Sequence, residues 1–184
     1  MKPLRIILWI VGLTVLAVVA YVVYTIATTK QHSPFSEARY QQDGLDLTVT
    51  YCRPYKKGRL IFGPADAGAL QPWGQYWRMG ANEATEIQLN RTVRFGDDTL
   101  AAGRYVIYAV PGEQQWTIGI NSETGRWGYN EVDHSMDLLQ TEVTSTTQDP
   151  AVEQLTIDFS DADSLVYLNI RWDNTLVPVP IAPL

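Results

Sequence analysis

The residues best suited to chemistry lie between Tyr51 and Thr85. Cys52 is the chain's one thiol, Arg53, Lys57, Arg59 and Arg78 surround it with positive charge, and Asn82 and Glu83 follow. If these cations gathered around a cleft, planar guanidinium groups would grip a carboxylate or phosphate through paired hydrogen bonds, with Glu83 orienting them. The same residues have a structural use: Glu83 can pair with one arginine while Asn82 and the Gly80 backbone cap a loop, pinning the connection from Gly63 to Gly74. The structural use is the expectation, since ionic networks inside β domains often set geometry rather than chemistry. A thiolate at Cys52 would be favoured by Arg53 or Lys57, but a lone cysteine on a strand is usually a small buried hydrophobe. A nucleophile also needs a base, and His32 and His134 are both remote in sequence.

Trp73, Trp77, Trp127 and Tyr129 fall near expected loops, where flat rings could stack on sugar faces or anchor a protein interface. Trp116 and Trp172 fall in strands and read as core. Two histidines and one cysteine leave transition-metal sites short of ligands. Asp158, Asp161 and Asp163, or Glu131, Asp133 and Asp137, could clasp calcium at a turn, but neither run has EF-hand spacing. No phosphate loop, dinucleotide fingerprint or serine-hydrolase elbow is present, so no cofactor, metal or catalytic residue is assigned. The candidates for ligand or interface contact are Arg53, Lys57, Arg59, Trp77, Arg78, Asn82, Glu83, Trp127 and Tyr129.

These residues must be positioned by strands. Leu45, Leu47, Val49 and Tyr51 alternate on one face, and Arg104 to Val110 repeats the pattern. Glu86–Leu89, Trp116–Asn121, Leu138–Thr144, Leu155–Phe159, Leu165–Trp172 and Leu176–Ile181 are further candidates. Turn chemistry separates them at Gly96-Asp97-Asp98, Pro111-Gly112, Ser122 to Gly128, Asp149-Pro150 and Asp161-Ala162-Asp163. Many short strands without helical periodicity predict an all-β, antiparallel β-sandwich over residues 45–184.

Ahead of it stands a different kind of segment. Lys2 and Arg5 precede an uncharged apolar run from Ile6 to Ala27, and Lys30 is the next charge. At about 1.5 Å per residue the run is roughly 33 Å long, enough to cross a bilayer core. Trp9 at one end and Tyr21 and Tyr24 at the other fit the two membrane interfaces, and the leading charges place the start of the chain inside. A cleavable signal peptide would have a shorter apolar region and a small-x-small cleavage site, which Val18-Val19-Ala20 and Thr25-Ile26-Ala27 supply poorly. Residues 1–30 therefore read as a single transmembrane anchor and residues 31–44 as a polar linker. Gly12 is the only glycine in the run, so a Gly-x-x-x-Gly homodimer is unsupported.

The chain has 20 acidic and 14 basic residues; with Lys2, Arg5 and Lys30 set aside, 11 bases face 20 acids, a formal charge of −9 beyond the anchor. Nucleic acid and anionic lipid are poor partners for such a domain. One cysteine allows no internal disulfide, so the core must hold the fold.

Two stretches carry a family resemblance. Tyr51-Cys52-Arg53-Pro54 leads to Lys57-Gly58-Arg59 and Ile61-Phe62-Gly63, and Trp77-Arg78-Met79-Gly80-Ala81-Asn82-Glu83-Ala84-Thr85 follows. They resemble the bacterial envelope family catalogued as domain of unknown function twenty-nine eleven, with the pattern Y-x-R-P-x-x-K-G-R-x-I-F-G and then W-R-x-G-A-N-E-A-T. Similarity continues through Leu100 to Tyr105, Val110-Pro111-Gly112, Trp116-Thr117-Ile118 and Trp127-Gly128. It implies a secreted or envelope-anchored β domain and assigns no reaction; similar sequences commonly carry serine where Cys52 stands.

The expected function is a non-catalytic, single-span accessory subunit of the bacterial inner membrane. Its periplasmic domain would pack against other membrane-protein subunits, with respiratory or photosynthetic electron-transfer assemblies as plausible hosts. The alternatives are an anchored periplasmic binding module for a sugar or small anion and, behind it, a hydrolase or thiol enzyme.

Overall fold

In the computed structural model, which describes residues 2–162 and 164–184, the chain divides into two units that meet between His32 and Ser33. The first is helix α1, Lys2–His32, within which Pro3–Thr25 is long and apolar enough to cross a membrane. No residue of that stretch is buried, and Trp9, Tyr21 and Tyr24 are all well exposed.

The second unit is built from twelve strands: β1 (Phe35–Gln42), β2 (Leu45–Cys52), β3 (Phe62–Gly63), β4 (Gln71–Pro72), β5 (Glu86–Leu89), β6 (Val93–Phe95), β7 (Asp98–Leu100), β8 (Gly103–Val110), β9 (Gln115–Asn121), β10 (Asp137–Thr144), β11 (Thr146–Ala162) and β12 (Leu165–Pro183). Six form one antiparallel sheet in the order β1-β2-β5-β8-β9-β10, and four form a second in the order β11-β12-β6-β7. A small parallel pair, β3 and β4, lies outside both.

Strand alternation decides which residues fill the space between the sheets. Across β1, β2, β5 and β8, Ala38 pairs with Val49, Val49 with Ile87 and Ile87 with Tyr105, an apolar row facing the core. One position along, Arg39, Thr48, Gln88 and Arg104 form a polar row on the opposite face. The centre of the core is aromatic. Phe62 meets Trp77, Trp116 and Trp172 edge-on at ring-centroid distances of 5.2, 4.8 and 6.1 Å, and Trp77 stacks on Trp172 at 6.1 Å. These tryptophans are at most 2 % exposed, and their indole N–H groups have no hydrogen-bond acceptor among the described residues.

Three expectations need correction. Residues 31–44 are not a linker: α1 runs to His32, and β1 pairs along its whole length with β2. Ser33 and Pro34 are held by the domain, since Asn82 donates to the Ser33 carbonyl (3.4 Å) and the Arg53 N–H to the Pro34 carbonyl (2.9 Å). As an edge strand, β1 buries only Ala38, so its sequence shows no apolar alternation. Asp149-Pro150 is not a turn but lies within β11, where pairing with β12 shifts register between Thr147 and Val152; a bulge accommodates the proline. The two strands expected at Leu165–Trp172 and Leu176–Ile181 are one, β12.

Candidate functional site

Arg53, Arg59 and Arg78 are directed at different parts of the backbone, and Lys57 is exposed. Arg53 donates from Nε to the Leu155 carbonyl (2.9 Å) and from Nη2 to Thr156 Oγ1 (2.8 Å), fastening the end of β2 to β11. Lys57 is exposed at a φ of 50° and Gly58 follows at 70°; two left-handed residues in succession make this tight turn, and glycine adopts the second without strain. The Lys57 N–H donates to Glu153, while Arg59 curls back onto the Lys56 and Tyr55 carbonyls. Arg78 donates to the Gly128 carbonyl at 2.6 Å. No common anion grip results, because each guanidinium is occupied by carbonyls of its own neighbourhood.

The stretch from Trp77 to Thr85 is a knot of close approaches. Trp77 and Met79 enter the core, and Thr85 Oγ1 donates to the Met79 carbonyl (2.9 Å). A Cβ on Gly80 would sit 3.0 Å from the Cys52 carbonyl oxygen, which accounts for glycine there. Asn82 is buried and reaches Ser33, and Glu83 Oε2 accepts the Cys52 thiol at 3.3 Å. Burial pushes the Cys52 thiol above its ordinary pKa, and the bond to Glu83 pushes the same way, so the group is a protonated donor. Trp77, considered above as a sugar platform, is a core residue at 2 % exposure.

Loop 122–136, joining β9 to β10, lies against this knot. Its tip is tied by main-chain bonds from the Ala84 N–H to the Arg126 carbonyl (3.2 Å) and from the Gly128 N–H to the Asn82 carbonyl (2.9 Å). Arg126 donates to the Glu131 carbonyl (2.9 Å) and stands 3.4 Å from Glu123, a charge contact without hydrogen-bond geometry. Glu86, only 5 % exposed, accepts the Gly125 N–H at 2.6 Å and pairs with Arg104. Trp127 and Tyr129 nevertheless remain 53 % and 82 % exposed.

A cleft of about 420 Å³ opens between this loop and the sheet, with Phe35, Glu83, Glu86, Arg104, Arg126 and Trp127 among its walls and Cys52 on its floor. A second hollow of about 240 Å³ continues over β1, β2 and β5, sharing Thr50, Glu86 and Arg104 with the first. Tyr129 lies instead over a separate depression of about 160 Å³ with Tyr76 and Arg78. Of the sequence candidates, the cleft thus brings together Glu83 and Trp127. Arg53, Lys57, Arg59, Trp77, Arg78, Asn82 and Tyr129 do not line it.

Sequence reasoning missed a polar network at the far end of the loop. His134 Nδ1 and Nε2 lie 2.7 Å from Asp137 Oδ2 and 2.9 Å from Glu131 Oε1, and the buried Tyr108 hydroxyl donates to Asp137 at 2.6 Å. Hydrogen bonds to Glu131 and Asp137 raise the His134 pKa. Burial alone would raise Asp137, but bonds from Tyr108, Asn121, His134 and Gln140 outweigh it and hold the carboxyl below its usual range. Burial raises the Tyr108 phenol as well. The spacing His134-x-x-Asp137 on a turn was the available signal. Of the two acidic runs weighed for calcium, Glu131 and Asp137 are engaged by His134, while Asp158 pairs with Arg171 and Asp161 accepts from Tyr40. Asp163 lies outside the described residues. Among the described residues no group of three or more acidic, histidine or cysteine side chains is arranged to hold a metal.

The family model described as "Protein of unknown function (DUF2911)" matches residues 33–181. The chain belongs to that family, and the match begins where the β domain begins. No curated protein and no solved structure matches the chain.

Proposed function

We propose that this family member is a membrane-anchored, non-catalytic accessory subunit, with α1 in the bacterial inner membrane and the β domain on the periplasmic side, packed against partner subunits. The observation that carries this reading is the internal use of the thiol and the three guanidinium groups of the motifs. The Cys52 thiol is a donor to Glu83, and Arg53, Arg59 and Arg78 bond to carbonyls of their own chain. An apolar helix without a buried residue in Pro3–Thr25 supports anchoring, because water would not tolerate that surface uncovered. The two positive charges ahead of the span support the orientation.

The test is gentle solubilisation of native membranes, size separation and mass spectrometry of the intact chain. Retention of residues 1–27 together with a fixed stoichiometry of other membrane proteins is the expected outcome, and co-migration with a respiratory or photosynthetic assembly would identify the host. A processed, solitary chain would overturn the reading.

A further inference from the structure

The cleft and the hollow beside it have a use that subunit packing does not require. Together they make a continuous groove over the outer face of β1, β2, β5 and β8, since both are bounded by Thr50, Glu86 and Arg104. The groove runs along β2 from Asp46 in the hollow to Cys52 in the cleft, six residues at about 3.3 Å each or roughly 20 Å, room for several sugar rings end to end. Inter-strand register sets out the floor in rows, Glu37-Thr50-Glu86 beside Arg39-Thr48-Gln88-Arg104, so hydroxyl, amide, carboxylate and guanidinium groups alternate over a short distance. Acidic and basic side chains nearly balance along it: Glu37, Asp46, Glu83 and Glu86 against Arg39, Arg104 and Arg126. Such a surface discriminates against highly charged polymers and favours an uncharged ligand rich in donors and acceptors.

Trp127 closes one end. Its backbone is bridged to Glu83 and flanked by the bonds at Arg126 and Gly128, and the buried Glu86 carboxylate secures Gly125 two residues earlier. Trp127 is nonetheless 53 % exposed and lines the cleft. A main chain already fixed in this way lowers the ordering cost of binding, and an exposed aromatic residue carried on it suits a stacking platform. The geometry points to an oligosaccharide site: an uncharged, extended glycan lies along the strands, crossing the polar rows, with one sugar stacked on Trp127. This does not depend on the subunit reading, since it concerns the sheet face alone.

The probe is chitohexaose, a β-linked, uncharged hexamer of N-acetylglucosamine, titrated calorimetrically into the full chain in nanodiscs, with cellohexaose as a second uncharged glycan and a heparin hexasaccharide as the charged control. Saturable binding of an uncharged hexamer is expected. Trp127→Ala should weaken it by about tenfold or more and Gln88→Ala by a smaller factor, whereas Trp127→Phe should retain most of it. Tyr129→Ala, outside the groove, should leave it unchanged. Thermal melts of each variant separate lost binding from lost fold. Absence of binding by both uncharged hexamers, indifference of a folded Trp127→Ala chain, or preference for heparin would each overturn the site. None of these outcomes bears on co-purification with partners, so the two proposals fail separately.

Discussion

The outer face of the six-stranded sheet has two halves built to different ends. Over β8, β9 and β10, loop 122–136 folds down and seals a small second core of Ala84, Val106, Tyr108 and Val132, with Tyr76 packed against it. Over β1, β2 and β5 no loop among the described residues descends, and Thr48, Thr50 and Gln88 line the groove. The strands and pleat are the same; the difference lies in what the loop carries. Val132 offers the covered half an apolar partner, whereas Trp127 stops at the boundary and lines the cleft. The loop is structural at one end and leaves Trp127 exposed at the other. Glu86 and its bond to Gly125 mark the border.

If the covered half is a true core, truncating its central ring must cost what core truncations cost. Tyr108 is fully buried, and it crosses the strand pair to Gly119, where a Cβ would fall 2.1 Å from the phenol ring. Tyr108→Ala is expected to lower stability by about 3–5 kcal/mol in urea unfolding. A loss below 1 kcal/mol would show that the loop seals nothing. At the border, Glu86→Ala leaves the Gly125 N–H and Arg104 without their acceptor, with an expected loss of about 1–3 kcal/mol. It should also speed hydrogen exchange at Gly125 and Trp127, and unchanged exchange there would separate Glu86 from the loop's attachment.

This division was only partly legible in the sequence. Alternation in β2 and β8 identified the sheet, but the packing of Tyr108 onto Gly119 across the strand pair went unread. The edge strand β1 escaped because one buried alanine leaves no period to read. β11 was broken too early because Asp149-Pro150 is turn chemistry unless a bulge absorbs it. The motifs told where the chain is constrained and not what for: Arg78 and Gly128 are distant in sequence, and only the folded loop shows that one guanidinium satisfies the other's carbonyl. The cleft was hidden for the same reason, since Phe35, Glu86, Arg104 and Trp127 come from four separate segments.

A milder perturbation reaches the covered half through pH. His134 is held as a cation by Glu131 and Asp137, so its folded pKa lies above the unfolded value of about 6.5. The stabilisation is therefore complete below that unfolded value and is lost as pH rises through the folded one. Asp137 runs the other way: its depressed pKa stabilises above about 3.9 and fails as pH falls through the folded value. Stability should thus fall as pH rises above about 6.5, and His134→Gln should flatten that slope. An equal slope in the variant would assign it to another group. His134 is half-exposed, so solvent screening keeps the effect below that of Tyr108→Ala.

The smallest effect belongs to the open half, and its smallness is the point. Gln88 projects from the centre of β5 between Thr48 and Arg104, exposed in the groove, and no neighbour packs over it as Val132 and Tyr76 pack on the covered half. Gln88→Ala should change unfolding free energy by no more than about 0.5 kcal/mol. Central strands normally punish substitutions that disturb packing, so a near-neutral result at this position would mean that the fold makes no use of the side chain. A loss comparable to that of Glu86→Ala would instead tie Gln88 to the sheet's own stability and erase the distinction between the two halves. Neutral for folding but costly for glycan binding is the combination that a contact surface predicts and a merely solvated sheet face does not.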